Sequence, residues 1–176
     1  MSPVEQAEVE LANRNGRLHR SQRGLVLDFN FWVAAILVVA GIVALVVIPA
    51  TTITTGDGGK LAGAGVLASL GPMVPILALV LWFAYVCRKR LADVRGPLVA
   101  ISGWTHDFGR ERATDQYPIG LHGSPSGYKT AESHSVRAGG RTYVLERRFW
   151  GRIEGERTNT VYVTSRSHIL VNVVPA

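Results

Sequence analysis

Two long apolar runs, residues 31–48 and 61–87, set the plan of this chain. The first holds eighteen consecutive residues with no charge and no polar side chain beyond the indole of Trp32. A soluble amphipathic helix keeps a polar face at helical spacing, and a buried strand stops after about 4–8 residues; neither describes this run. As a helix rising ~1.5 Å per residue it is about 27 Å long, against roughly 30 Å of bilayer hydrocarbon. Twelve of the eighteen are Phe, Val, Ile or Leu. At about −0.3 to −0.6 kcal/mol each, the insertion term is on the order of −4 to −7 kcal/mol, with no charge opposing it. The pattern predicts a transmembrane helix over residues 31–49.

The second run is also free of charge, but Gly63, Gly65, Ser69, Gly71, Pro72 and Pro75 crowd its first half. Each proline removes a backbone donor, so the first turns are expected to be kinked or irregular, with a second span over residues 65–87. Trp32, Trp82 and Tyr85 fall where side chains of an aromatic belt meet the membrane interface. Arg14, Arg17, Arg20 and Arg23 precede the first run, and Arg88, Lys89, Arg90 and Arg95 follow the second, whereas the connecting loop offers only Lys60. The positive-inside rule then places both termini in the cytoplasm and the short loop outside, the layout of a multi-pass protein of the cell's inner membrane. Neither span contains Asp, Glu, Lys, Arg or His, the residues an ion path or proton relay uses, which speaks against transport. Small residues four apart, Ala40 with Ala44, Ala64 with Ala68 and Gly65 with Ser69, suit close approach of two helices.

Ahead of the spans, residues 1–30 open on a helix-entry pattern, with Ser2 as cap, Pro3 at the first helical position and Glu5 three after the cap. Val4, Ala7 and Leu11 share a face and Gly16 marks a stop, so a short amphipathic helix is expected to lie on the membrane or on the tail.

After the basic collar of residues 88–95 the period changes. Strands are predicted at residues 98–104, 128–137, 141–150, 159–164 and 169–174, with a long Gly-, Pro- and Ser-rich loop over 106–127 and a turn at Ala138, Gly139 and Gly140. Tyr143, Leu145 and Arg147 are expected on one face of the third strand. The alternation around the turn at residues 165–168 puts Val161, Val163, Ile169, Val171 and Val173 on one inward face and leaves Thr164 outside, tolerant of substitution. The expected fold is a membrane α-helical hairpin of two transmembrane helices. It is followed by a small, mostly antiparallel β domain at residues 96–176, a five-stranded barrel or curved sheet. About eighty residues make a marginal core, so docking to the membrane or to another copy of the chain would help it.

The closing hairpin, residues 161–173, with the Gly140-Arg141-Thr142-Tyr143-Val144 turn and strand, resembles the end of uncharacterised bacterial two-span membrane proteins that carry a small C-terminal β domain. In shape the tail is also similar to the small barrel that closes NfeD-type membrane proteins. The resemblance implies the layout and no activity.

Of the 176 residues, about a third lie in the apolar hairpin, and the net charge of +6 comes from residues 88–95 and 96–176 in equal parts. Such charge suits an anionic inner leaflet, where each juxtamembrane Lys or Arg is worth about 1 kcal/mol. Nucleic acid is not expected as a partner, since the charge adjoins the membrane and no nucleic-acid motif is present. Cys87 stands alone, which rules out an internal disulfide or a cysteine zinc cluster. His106, His122, His134 and His168, with Asp107 beside the first, could in principle hold a metal but lack ligand spacing. There is no Gly-x-Ser-x-Gly elbow, and the Gly-rich stretch at residues 56–65 lacks the ending of a phosphate loop. Arg88, Lys89, Arg90 and Arg95, with Arg147, Arg148 and Arg152 beside Phe149 and Trp150, form the expected membrane-surface contact. No catalytic residue, cofactor or metal is assigned. The sequence predicts a non-enzymatic, membrane-anchored binding or assembly module presenting its β domain to a protein partner; the alternative is a metal-assisted hydrolase built on the tail histidines.

Overall fold

The computed structural model describes residues 2–55, 71, 73–109, 116–125 and 132–176. The loop with Lys60, the Ala64–Ala68 and Gly65–Ser69 pairs, Pro72 and residues 128–131 of an expected strand lie outside these. The chain divides into two compact units, one made of Met1–Val26 with Ala92–Ala176 and the other of Leu27–Leu91.

The second unit holds helix α3 (Phe29–Thr55) and the greater part of α4 (Met73–Arg95). Asp28 serves the first turn of α3 by accepting from the Phe31 N–H at 2.9 Å. Pro75 costs α4 little because it falls in the first turn, where backbone N–H groups have no helical partner in any case. The two helices approach closely at Gly41, where an added Cβ would stand 2.2 Å from Val80 Cγ2. Phe31, Ala34 and Val80 are buried, while Trp32, Val39, Val43, Leu81 and Trp82 are exposed. The segment Phe29–Val47, mean hydropathy 2.6, is the one helical stretch among the described residues long and apolar enough to cross a membrane. The described part of the second expected span is residues 73–87 of α4.

The first unit is a mixed six-stranded sheet in the order β4-β3-β2-β1-β5-β6, with β1 Leu98–Gly109, β2 Ile119–Pro125, β3 Glu132–Ala138, β4 Arg141–Leu145, β5 Arg157–Thr164 and β6 Leu170–Pro175. Six strands replace the five expected, and one pair, β1 with β2, is parallel. Strand β2 lay hidden in the presumed loop because Gly120, Gly123 and Pro125 are turn residues by composition. Parallel pairing usually demands a long crossover. Here the partners run only from Thr105↔Ile119 to Gly109↔His122, so the chain has little length of β1 to retrace. The two-residue turn between β3 and β4 needs Gly139 and Gly140, both at positive φ (57° and 74°).

Edge strands of a flat six-stranded sheet would stand about 24 Å apart at ~4.8 Å per step. Yet Tyr143 and Leu145 of β4 share one buried cluster with Leu170 and Val173 of β6, so the sheet curls toward a half-barrel around this core. Phe149, Ile153, Ile119 and Val136 fill the same core. On the other face, Leu98, Tyr162, Val171 and Val174 pack with Leu18 and Leu25 of the N-terminal segment. Burial on both faces is why β6 reads as an apolar run and not as an alternation.

The expected inward set needs correction at two of its five members. Val161, Val163 and Val173 do face the main core. Between the pairs Tyr162↔Asn172 and Val163↔Leu170, however, β6 carries one extra residue, a bulge that flips the alternation. Leu170 therefore joins the main core, Val171 turns to the opposite cluster, and Ile169 is only partly buried. Thr164 is fully buried, not outward, and its hydroxyl accepts from the Ile169 N–H at 2.9 Å. Arg147 also leaves the expected strand face, since β4 ends at Leu145 and a 3-10 turn, Arg147–Phe149, follows.

The N-terminal segment belongs to this unit. Ser2 caps helix α1 (Pro3–Arg14) by accepting from the Glu5 N–H at 3.2 Å, with Pro3 in the first turn. A 3-10 turn, Arg20–Gln22, and the short α2, Arg23–Val26, follow. A reciprocal amide pair holds this segment together: Asn13 Nδ2 donates to Gln22 Oε1 (2.8 Å) and Gln22 Nε2 to Asn13 Oδ1 (3.0 Å). Gln22 also donates to the Val171 carbonyl (3.3 Å), and the Gly16 carbonyl accepts from Leu98 N–H (2.9 Å), which ties the segment to β6 and β1. In the same unit the buried Asp93 carboxylate accepts from the Arg166 and Ser167 N–H groups (3.0 and 2.6 Å) and fixes the β5–β6 turn.

Candidate functional site

Three of the basic residues singled out in the sequence, Arg147, Arg148 and Arg152, follow β4. Phe149 anchors this stretch in the core at 3% exposure, and Trp150 Nε1 donates to the Leu145 carbonyl at 3.0 Å. Gly151, at φ 76°, then turns the chain, and the Arg152 N–H donates to the Phe149 carbonyl at 3.1 Å. The Arg148 guanidinium lies 5.1 Å from the Phe149 ring centre and bonds to the Glu146 carboxylate; that of Arg147 lies 6.0 Å from the Trp150 ring centre.

Arg148 and Arg152 line one cleft of about 340 Å³, closed by Phe149, Val171, Val9 and Leu25 and bordered by Gln22, Ser21 and Asn172. Arg147 does not line it. Asn172 sits beside the bulge, 1% exposed, and its Oδ1 accepts from Arg152 Nη1 at 3.3 Å and from the Val173 N–H at 3.0 Å. Both bonds require oxygen at that position, which fixes the amide orientation and leaves Nδ2 a buried donor with no partner. The lining thus combines two arginines and the buried Asn172 amide with apolar side chains, the composition of a site for an anion carried on an apolar body. Sequence reasoning reached Arg148 and Arg152 but missed Asn172. Its signal was present as the one amide inside the apolar stretch 169–174.

The collar residues belong to two units. Arg88 is exposed, Lys89 lies 5.6 Å from the Tyr85 ring centre, and Arg90 bonds to the Asp28 carboxylate. Arg95 is exposed at the end of α4, within the unit that holds the sheet.

The tail histidines do not converge. His106 stacks on Tyr117 (4.5 Å), meets Phe108 edge-on (4.6 Å) and places Nδ1 2.7 Å from Glu156 Oε1. His122 stacks on the same Phe108 at 5.0 Å. Burial, and secondarily the Arg137 charge, lowers the His122 pKa from its ordinary value, against the opposing pull of Asp107. His134 packs on Trp150 at 4.5 Å, and His168 occupies the β5–β6 turn at φ 54°. Among the described residues no three of His, Cys, Asp and Glu form a group able to hold a metal. Compared with protein-family models, curated proteins and solved structures, the chain matches none.

Proposed function

We propose that this chain is a membrane-anchored, non-enzymatic binding or assembly module. In this reading α3 and the apolar part of α4 span the inner membrane as a hairpin, both termini are cytoplasmic, and the curled sheet with its N-terminal cover is presented to a protein partner. The observation that carries the reading is the exposure of apolar side chains along both helices. Ile36, Val39 and Val46 of α3 are 65%, 63% and 65% exposed, and Val74, Leu79 and Leu81 of α4 are 67%, 57% and 61% exposed. Water does not tolerate a continuous apolar surface of that kind, whereas lipid covers it without cost. Arg88, Lys89, Arg90 and Arg95 then leave the bilayer at headgroup level. The chain reaches β1 within a few residues, so Arg147, Arg148 and Arg152 act on anionic lipid at high effective concentration. Alkaline carbonate treatment of membranes containing the full chain tests the anchorage. The chain should stay with the lipid pellet, and its release into the supernatant would refute the reading.

A further inference from the structure

The cleft between the N-terminal segment and the Arg148–Arg152 turn has features that packing alone does not require. A buried amide donor without a partner costs about 1–3 kcal/mol, and native interiors rarely leave one. Asn172 Nδ2 is such a donor, and Asn172 is among the residues that line the cleft. Arg152 makes one hydrogen bond, to Asn172 Oδ1, and meets no carboxylate among the described residues, which leaves most of its five donors for a ligand. Arg148 adds a second guanidinium, held over Phe149; Glu146, which bonds to it, is not part of the cleft wall. Donors thus come from the turn after β4 and from β6, and Val9, Leu25, Phe149 and Val171 supply the apolar part of the lining.

We infer that this cleft binds a phosphate monoester, its oxygens taken by Arg148, Arg152 and the Asn172 amide and its ester substituent lying on the apolar wall. A planar carboxylate is satisfied by one guanidinium fork. Two guanidinium groups and an amide donor from separate elements suit a tetrahedral group with three free oxygens. The volume, about 340 Å³, lies within the usual range for small-ligand pockets, roughly 300–1,000 Å³, and is ample for phosphate with part of its substituent. Two sources share this chemistry, the headgroup of a phosphatidate-type lipid and a soluble phosphate ester. Only the choice of lipid as source rests on the membrane anchorage proposed above.

The test is calorimetric titration of the full chain in neutral detergent with dioctanoyl phosphatidate, with dioctanoylglycerol as the phosphate-free control and glycerol 3-phosphate as the soluble ester. Saturable one-to-one binding of either phosphate compound, absent for dioctanoylglycerol, is expected. Preference for phosphatidate assigns the source to lipid, and equal binding of glycerol 3-phosphate assigns it to a soluble ester. Arg152→Met keeps the apolar stem and should weaken binding about tenfold or more. Arg141→Met, at an exposed residue of β4 outside the cleft, should change it less than about twofold, within what a distant surface charge contributes. Asn172→Asp keeps the size and the Arg152 contact while turning the donor into an anion, so it should abolish binding in a chain that still folds. Failure of both phosphate compounds to bind, or equal binding by wild type, Arg152→Met and Asn172→Asp, would overturn the site. Neither result bears on anchorage, which carbonate extraction decides separately.

Discussion

Replacing Asn13 and Gln22, singly and together, probes how the N-terminal segment is held to the sheet. Gln22→Leu strips partners from one Asn13 amide hydrogen and from the His19 N–H, which donates to Gln22 Oε1 at 3.0 Å. Asn13→Leu strips a partner from Gln22 Nε2 and from the Arg17 carbonyl, which accepts from Asn13 at 3.2 Å. With buried groups left unmatched at about 1–3 kcal/mol each, either single change should cost about 3 kcal/mol. The double change removes both halves of the reciprocal pair, so it should cost about 4 kcal/mol and not 6, a coupling of about 2 kcal/mol. For a unit of roughly 110 residues at about 4 °C per kcal/mol, the single variants should melt about 12 °C lower and the double about 16 °C lower. Thermal unfolding of the full chain in neutral detergent, followed by tryptophan fluorescence, reads this directly. Strict additivity, or single variants within about 2 °C of wild type, would refute the reasoning.

Three further outcomes follow from the same geometry. Thr164→Asp should be as damaging as Val163→Asp because both side chains are buried, and Thr164→Val should cost about 1–2 kcal/mol by orphaning the Ile169 N–H; a mild Thr164→Asp in thermal melts would contradict the bulged register. Gly41→Ala should separate the two helices at Val80 and lower the aggregation temperature by fluorescence-detected size exclusion, by about 1–3 kcal/mol equivalent, while Val80→Ala in the same chain should restore it. Because the His122 pKa is lowered on folding from 6.5, the unfolded chain takes up its proton first. Its share of stability is therefore complete above pH 6.5 and lost as pH falls toward the lower folded value. The melting temperature should drop less between pH 7 and about pH 5 in His122→Asn than in wild type, and identical drops would exclude His122 as the cause.

Much of the layout was legible because it rests on local signals. The uncharged run around residues 31–48, the Ser2-Pro3-Glu5 helix entry and the Gly139-Gly140 turn each declare themselves within a few residues. Features that depend on distant partners were not. Strand β2 is held by β1 and β3 on either side, despite a composition of glycine and proline that reads as loop. The bulge in β6 is a mismatch between two strands and leaves no mark in either one alone. Asp93, the one acid within residues 88–95, owes its place to the turn around Ser167, and Gln22, between Arg20 and Arg23, to Asn13 and Val171. At the candidate site the arginines were visible as a cluster. What makes it a site is the unpaired Asn172 donor, which only the folded chain brings beside them.

Reporter fusions made on both sides of the hairpin test the central claim most directly, because anchorage, the number of spans and the location of the sheet all follow from one orientation. A reporter that works only in the cytoplasm should be active when fused before residue 2 or after Ala176, and alkaline phosphatase should be active only when fused in the loop at Lys60. Active alkaline phosphatase after Ala176 would contradict the account, since it would mean that the hairpin is inverted or that α4 does not cross the membrane.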